Sequence, residues 1–203
     1  MNILYTVISV VIGYLLGSLN GALVIGKVKG VDIRTQGSGN AGATNAVRIM
    51  GKKTGYLVFL LDFLKGVIAC LACKLLFGDL YAVYAGLFVV LGHVFPLYYG
   101  FRGGKGISTI LGVILVWDWR IFLIAAIWMG VMILVTKIVS ISTLSGILLT
   151  TILFAVLHTE QWQLIVASAV LTIITFVKHR ENIKRLLNGT ENKFGKKKQE
   201  NKE

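Results

Sequence analysis

The sequence predicts an all-α, polytopic integral membrane protein of seven transmembrane helices, its N-terminus outside and its C-terminus cytoplasmic. Three observations predict it. Of 203 residues, 56% are hydrophobic and only 15% charged, and the mean hydropathy is +0.78. Soluble domains are nearer ~25% charged. The apolar residues form long runs separated by short polar turns, and the basic residues collect on alternate turns. Such a composition excludes a disordered chain, a collagen-like fibre and a disulfide scaffold, and it cannot supply the polar exterior of a water-soluble enzyme.

About 20 apolar residues carry a helix across the hydrocarbon core. Spans are predicted at residues 3–25, 55–77, 80–98, 107–117, 121–136, 140–157 and 162–177. The first lacks the basic residues that precede a cleavable signal peptide's apolar run, and it continues too long for one. In the second, Cys70 and Cys73 form a CxxC with no further ligands nearby and read as small buried residues. Asp62 and Lys65 lie three apart in the same span. Charges at that depth are costly, so they read as a helical ion pair, with Lys65 able to extend a cationic site. The fourth span is short: eleven residues reach only ~17 Å. It is expected to start deeper in the protein or to be flanked by a buried loop.

Charge sets the direction. Lys27, Lys29, Arg34, Arg48, Lys52 and Lys53 lie between the first two spans, Arg102 and Lys105 between the third and fourth, and Lys137 between the fifth and sixth. Nine more basic residues follow from Lys178, which places 18 of the 21 Lys and Arg on one face. The opposite turns hold Asp79, Asp118 with Arg120, and Glu160. Positively charged loops stay in the cytoplasm, and dropping one span would destroy the segregation. One membrane domain, 1–192, and a polar basic cytoplasmic tail, 193–203, are expected. The formal charge of +12 then reports orientation and contact with anionic lipid, not nucleic acid.

Three polar segments share the cytoplasmic face. The first, residues 37–48, reads GSGNAGATNAVR. Its GxGxxG lacks the preceding strand of a dinucleotide fold. Glycines and helix-start amides still suit an anion. Ser38 or Asn40 is expected to cap a short helix over residues 41–50, on which Asn45 and Arg48 share a face beside Thr44. The second runs from Gly92-His93 through Pro96 to Gly103-Gly104-Lys105-Gly106, again ahead of a helix. It fails the P-loop pattern, so it suggests anion binding without nucleotide hydrolysis. His93 reads equally as a helix-packing hydrogen bonder or a catalyst. The third, residues 178–185, continues the last span. His179 and Asn182 are spaced to act together, and Glu181 and Arg185 to form a surface bridge. Ser140, Ser142 and Thr143 begin the sixth span near the same face.

Several chemistries are excluded. No cluster of His, Cys and acids has metal-ligand spacing. No nucleophile elbow with a histidine and acid is present. No histidine is followed five residues later by aspartate, and the cytoplasmic loops lack the aspartates that hold metal for moving phospho-alcohols. What remains is rich in anion donors and poor in bases.

These three motifs, with Gly17-Ser18 and the LDFLKG segment around Asp62, resemble the bacterial acyl-phosphate–glycerol-3-phosphate acyltransferase family over residues ~10 to ~191. The resemblance implies seven membrane helices with a cytoplasmic-side active site, and no cofactor or metal. It implies transfer of a fatty acyl group from acyl phosphate to the 1-hydroxyl of sn-glycerol 3-phosphate. Lysophosphatidate and phosphate would be the products, in the first step of bacterial phospholipid synthesis at the inner membrane. By that resemblance Ser38, Asn40, Thr44, Asn45 and Arg48 hold substrate phosphate. Lys105 and the amides of Gly103, Gly104 and Gly106 hold the second anion, and His179 and Asn182 orient the glycerol hydroxyls. Ser140 and Thr143 match loosely as substrate contacts. Membrane lipid is the further partner implied, with no nucleic acid and no obligate protein partner. Two rivals remain at this level: a small membrane anion transporter, which would show internal repeats, and a lipid-binding scaffold without chemistry.

Overall fold

The computed structural model describes residues 2–193. Of the expected tail, all but Lys193 lies outside the described residues. The described chain is helical: α1 (Ile3–Ser18), α2 (Gly21–Val28), α3 (Ala43–Met50), α4 (Lys52–Phe77), α5 (Asp79–Val94), α6 (Ile107–Trp117), α7 (Trp119–Thr136), α8 (Val139–Leu157), α9 (Trp162–Lys178) and α10 (Arg180–Leu187). Each predicted apolar run is helical, apart from a break in the first at residues 19–20 and in the third at 95–96. Five segments are long and apolar enough to cross a bilayer, counting α1 with α2. A sixth is reached if α9 and α10, bent by 60°, make one span. At 11 residues α6 is shorter than a full crossing, so length and composition by themselves support five or six crossings. Gly104 and Gly106, just before α6, are buried, as expected for a short helix starting deep.

The first predicted span is interrupted. Buried Asn20 ends α1 and caps α2, its Oδ1 accepting from Leu23 N at 3.1 Å. A break at this depth leaves backbone groups without helical partners, and lipid offers none. The intramembrane charges on α4 supply them. Lys65 Nζ donates to the carbonyls of Gly17 and Leu19, both at 3.0 Å, and Asp62 Oδ1 accepts from Gly21 N at 3.1 Å. The two side chains are 2.9 Å apart, as the i,i+3 spacing predicted. Lys65 therefore serves the helix break and is spent there, not in a cationic site. Its Nζ also donates to His93 Nδ1 at 2.9 Å, so the histidine joins α4 to α5 as a packing hydrogen bonder. Cys70 and Cys73 are free and buried in α4.

Packing without a hydrophobic drive between helices relies on small residues and close backbones. Against α5, a Cβ on Gly13 would lie 2.6 Å from Ala85 O, and Gly17 and Gly92 are closer still to the facing backbone. The opposite end is tied at Asp118, which caps α7 through Arg120 N at 2.8 Å and meets His158 Nε2, past the end of α8, at 2.9 Å.

Candidate active site

The three polar segments converge at the end of the bundle where α6 and α8 start and α9 stops. The first is folded by Asn45. Its Oδ1 accepts from Ser38 N at 3.0 Å, and its Nδ2 donates to Ile33 O at 3.1 Å and Gln36 O at 3.0 Å. Asn45 is 1% exposed and thus locks the loop instead of facing substrate. Gly37 and Gly39 take positive φ of 62° and 69° to complete the turn, conformations that glycine adopts without strain. The expected cap is corrected: α3 starts at Ala43, its N-cap is extended Gly42, and no side chain caps it. Thr44 and Arg48 are exposed on α3, Ser38 is exposed on the loop, and Asn40 is half-buried.

The second segment is pinned to the first. Arg34 donates to Tyr99 O at 3.2 Å. Gly104 is wedged between His93 Nε2 and Ala41 O, with no room for a Cβ. The amides expected to hold an anion are partly engaged. Gly103 N donates to Val94 O and Gly104 N to His93 O, both at 3.2 Å, so these two glycines build the loop that presents Lys105. Gly106, at φ 84°, turns the chain into α6.

The third segment meets Lys105 directly. Lys105 Nζ donates to Asn182 Oδ1, and Asn182 Nδ2 donates to Glu191 Oε1 at 2.6 Å. Ser140 Oγ donates to the same oxygen at 3.0 Å, and Arg185 Nε donates to Glu191 Oε2 at 2.6 Å. The expected Glu181–Arg185 bridge is therefore replaced: Glu181 pairs with Arg180 and Lys184 at 3.6 and 3.8 Å, and Arg185 turns inward to Glu191. His179 follows the end of α9. It donates from Nδ1 to Thr175 O at 2.8 Å, which leaves Nε2 as the acceptor, 3.4 Å from Thr143 Oγ1.

The electrostatics follow from this crowding. Burial first, then the positive charges of Arg185, Arg48 and Lys178, push the Lys105 ammonium down to about 8 against the pull of Glu191. Burial and then Lys105 push the His179 imidazole down to about 4, so it is neutral near neutral pH. Burial works to raise the Glu191 carboxyl, but hydrogen bonds from Asn182, Arg185 and Ser140 outweigh it and hold it below the ordinary range. One carboxylate thus stands among the cations Lys105, Arg48, Arg185 and Lys178. A pocket with so many unmatched positive charges favours phosphorylated ligands.

This geometry has relatives. The family model described as glycerol-3-phosphate acyltransferase matches residues 7–189. The chain belongs to the glycerol-3-phosphate acyltransferase family. A glycerol-3-phosphate acyltransferase of Thermoanaerobacter sp. (strain X514) is 43% identical over 198 residues, covering 96% of this chain and 98% of the relative. That of Clostridioides difficile (strain 630) is 45% identical over 206 residues, covering 98% and 100%. That of Bacillus subtilis (strain 168) is 41% identical over 186 residues, covering 91% and 95%. Among solved structures, the crystal structure of PlsY, an integral membrane glycerol 3-phosphate acyltransferase, superposes in its glycerol 3-phosphate form with a TM-score of 0.89 at 39% identity, covering 94% of this chain and 96% of that one. Its lysophosphatidic acid form gives 0.85 at the same identity. The chain is thus a membrane acyltransferase acting on glycerol 3-phosphate, and the anion-transporter rival is set aside.

Of the residues expected in the site, the structure brings together Lys105, Asn182, His179, Ser140 and Thr143, with Arg48 close enough to act on Lys105. Sequence reasoning placed neither Glu191 nor Arg185 in it. The available signal was one acid, Glu191, standing alone between basic residues just after α10.

Proposed function

We propose that this acyltransferase uses acyl phosphate as donor and acylates the 1-hydroxyl of sn-glycerol 3-phosphate, giving 1-acylglycerol 3-phosphate and phosphate. This would be the first step of bacterial phospholipid synthesis. The observation that carries the reading is the cluster of Lys105, Arg48, Arg185 and Lys178 around a single carboxylate. A thioester donor puts no phosphate on the reacting carbonyl, because the phosphates of coenzyme A and acyl carrier protein lie at the far end of the pantetheine arm. Beside that carbonyl only the acceptor's phosphate would need a site. Acyl phosphate with glycerol 3-phosphate brings two, which matches a cation excess of this size.

Acyl phosphate is already an activated anhydride, so the protein's work is to bring two anions together and aim one hydroxyl. Lys105 and Arg48 offset the repulsion and stabilise the charge growing on the carbonyl oxygen. Exposed Ser38 and Thr44, with Asn40, suit the rim of one phosphate. The Nε2 of His179 accepts from a glycerol hydroxyl, and Asn182, held between Lys105 and Glu191, positions the other. A neutral imidazole whose pKa lies near 4 is a feeble base, so a substrate phosphate oxygen takes the hydroxyl proton. The acyl chain lies between helices, open to the bilayer.

The charge segregation supports seven crossings, with α6 as a short one beneath a buried loop, and a domain ending near residue 192. It also supports a site on the cytoplasmic side of the inner membrane, with the N-terminus outside. The deciding experiment gives detergent-purified protein glycerol 3-phosphate with palmitoyl phosphate, palmitoyl-CoA or palmitoylated acyl carrier protein. Lysophosphatidate and phosphate should form only with the first, and turnover should collapse in Lys105→Ala and Arg48→Ala. Turnover with a thioester donor would overturn the donor assignment.

A further inference from the structure

Arg185 has a peculiar setting. Its Nε donates to Glu191 Oε2 at 2.6 Å, and neither terminal nitrogen of its guanidinium bonds to another of the described residues. Its side chain is 36% exposed, whereas Glu191 is 7% exposed. Glu191 is itself fixed by Asn182 and Ser140, and Thr190 N holds Arg185 O at 2.8 Å. Both ends of the clamp are therefore tied to the site. A guanidinium gripped at Nε has its plane set, and its two terminal nitrogens form a fork suited to a phosphate. Its charge lies close enough to act on Lys105, which contacts Asn182.

Glu191 is the one carboxylate beside Lys105, Arg48, Arg185 and Lys178, so an excess of positive charge remains that an anionic ligand offsets. We propose that Arg185 binds a substrate phosphate through its terminal nitrogens, with Glu191 as the residue that positions it. This rests on the reading that the site takes phosphorylated substrates. Glycerol 3-phosphate and acyl phosphate present the same group, so separate constants must decide between them.

The test uses full-length protein in detergent, comparing wild type with Arg185→Gln, Arg185→Lys and Glu191→Gln. Four quantities are read: KM for glycerol 3-phosphate, KM for palmitoyl phosphate, Ki for inorganic phosphate, and Tm. Arg185→Gln is expected to raise one KM and the phosphate Ki by about 10- to 100-fold, the effect of losing a charge-assisted bond, with Tm near wild type. The KM that moves names the substrate. Arg185→Lys keeps the charge but loses the fork and should raise the same constant by a smaller factor. Glu191→Gln should raise that constant too, and the double variant should add little. If Arg185→Gln does not fold, Arg185→Lys decides. Unchanged KM and Ki in a folded variant would overturn the proposal, as would an activity loss that merely follows Tm. Wild type that turns over while the Arg185 variants bind normally sinks this inference alone. Wild type with no turnover on acyl phosphate sinks the donor assignment, and calorimetric binding of glycerol 3-phosphate to the same variants then still judges Arg185.

Discussion

Asp62 and Lys65, 2.9 Å apart on α4, divide one task between them: the carboxylate takes the amide, and the ammonium the carbonyls, of the helix that Asn20 breaks. Removing one partner of a buried pair costs about 3–5 kcal/mol, because the other charge is left without compensation. Lys65→Met also strands two carbonyls. It should lower Tm in detergent steeply, and the double variant Asp62→Leu with Lys65→Met should recover part of the loss. A Tm unmoved by Lys65→Met would show that water or lipid reaches the break.

Activity should fall as pH rises through about 8, the value to which burial and neighbouring cations bring Lys105. The sign follows from the charge: the ammonium holds phosphate below that pH and is lost above it. The effect belongs in kcat/KM, which reports the free enzyme, more than in kcat, because bound anion favours the charged form. Lys105→Arg should move this limb upward, since a guanidinium stays protonated past about 12. An alkaline limb that ignores the substitution would assign it to another group.

His179 should contribute no limb between about pH 5 and 7, since its imidazole is already neutral there. An acid limb near pH 6 is still expected from the second ionisation of substrate phosphate, about 6 for phosphate monoesters. That limb should persist in His179→Gln, which should lower the rate without reshaping the profile. A limb that disappears with the histidine would make His179 the base.

Gly104→Ala should push the first two motifs apart, because its methyl has backbone oxygen of Ala41 on one side and the His93 ring on the other. Overpacking of this kind costs about 1–3 kcal/mol. Because Lys105 is the next residue, KM for the phosphorylated substrates should rise about fivefold or more. Gly100→Ala is the control: nothing lies within 4 Å of its Cβ position, and only its positive φ, 64°, which Gly104 does not share, resists the added methyl. Equal effects from both would show that the contacts with Ala41 and His93 are not what costs Gly104→Ala its substrate affinity.

Much of this was legible in the chain. Apolar runs announced the long helices, and the spacing of Asp62 and Lys65 announced their pair. The motifs announced Lys105, His179 and Asn182 as neighbours that sequence distance would never suggest. Three things were hidden, each for a physical reason. The break at Asn20 sits in an otherwise apolar run, and only the charges of another helix make it tolerable. Asn45 shares a helical face with Arg48 yet turns under its own loop, because three backbone groups there needed partners. Arg185 had a surface partner at ideal spacing in Glu181, but the chain turns back after α10, with Gly189 at φ 68° and Thr190 N donating to Arg185 O, and brings Glu191 beside it.

The cations come from α3, the loop before α6, the end of α9 and α10, and the carboxylate among them comes last, at Glu191. During synthesis the first of these, Arg48, leaves the ribosome more than a hundred residues before the last. The constellation is therefore complete only once α10 and Glu191 have emerged, so a nascent chain with only its early helices in the bilayer holds Arg48 without Lys105, Arg185 or the carboxylate that joins them.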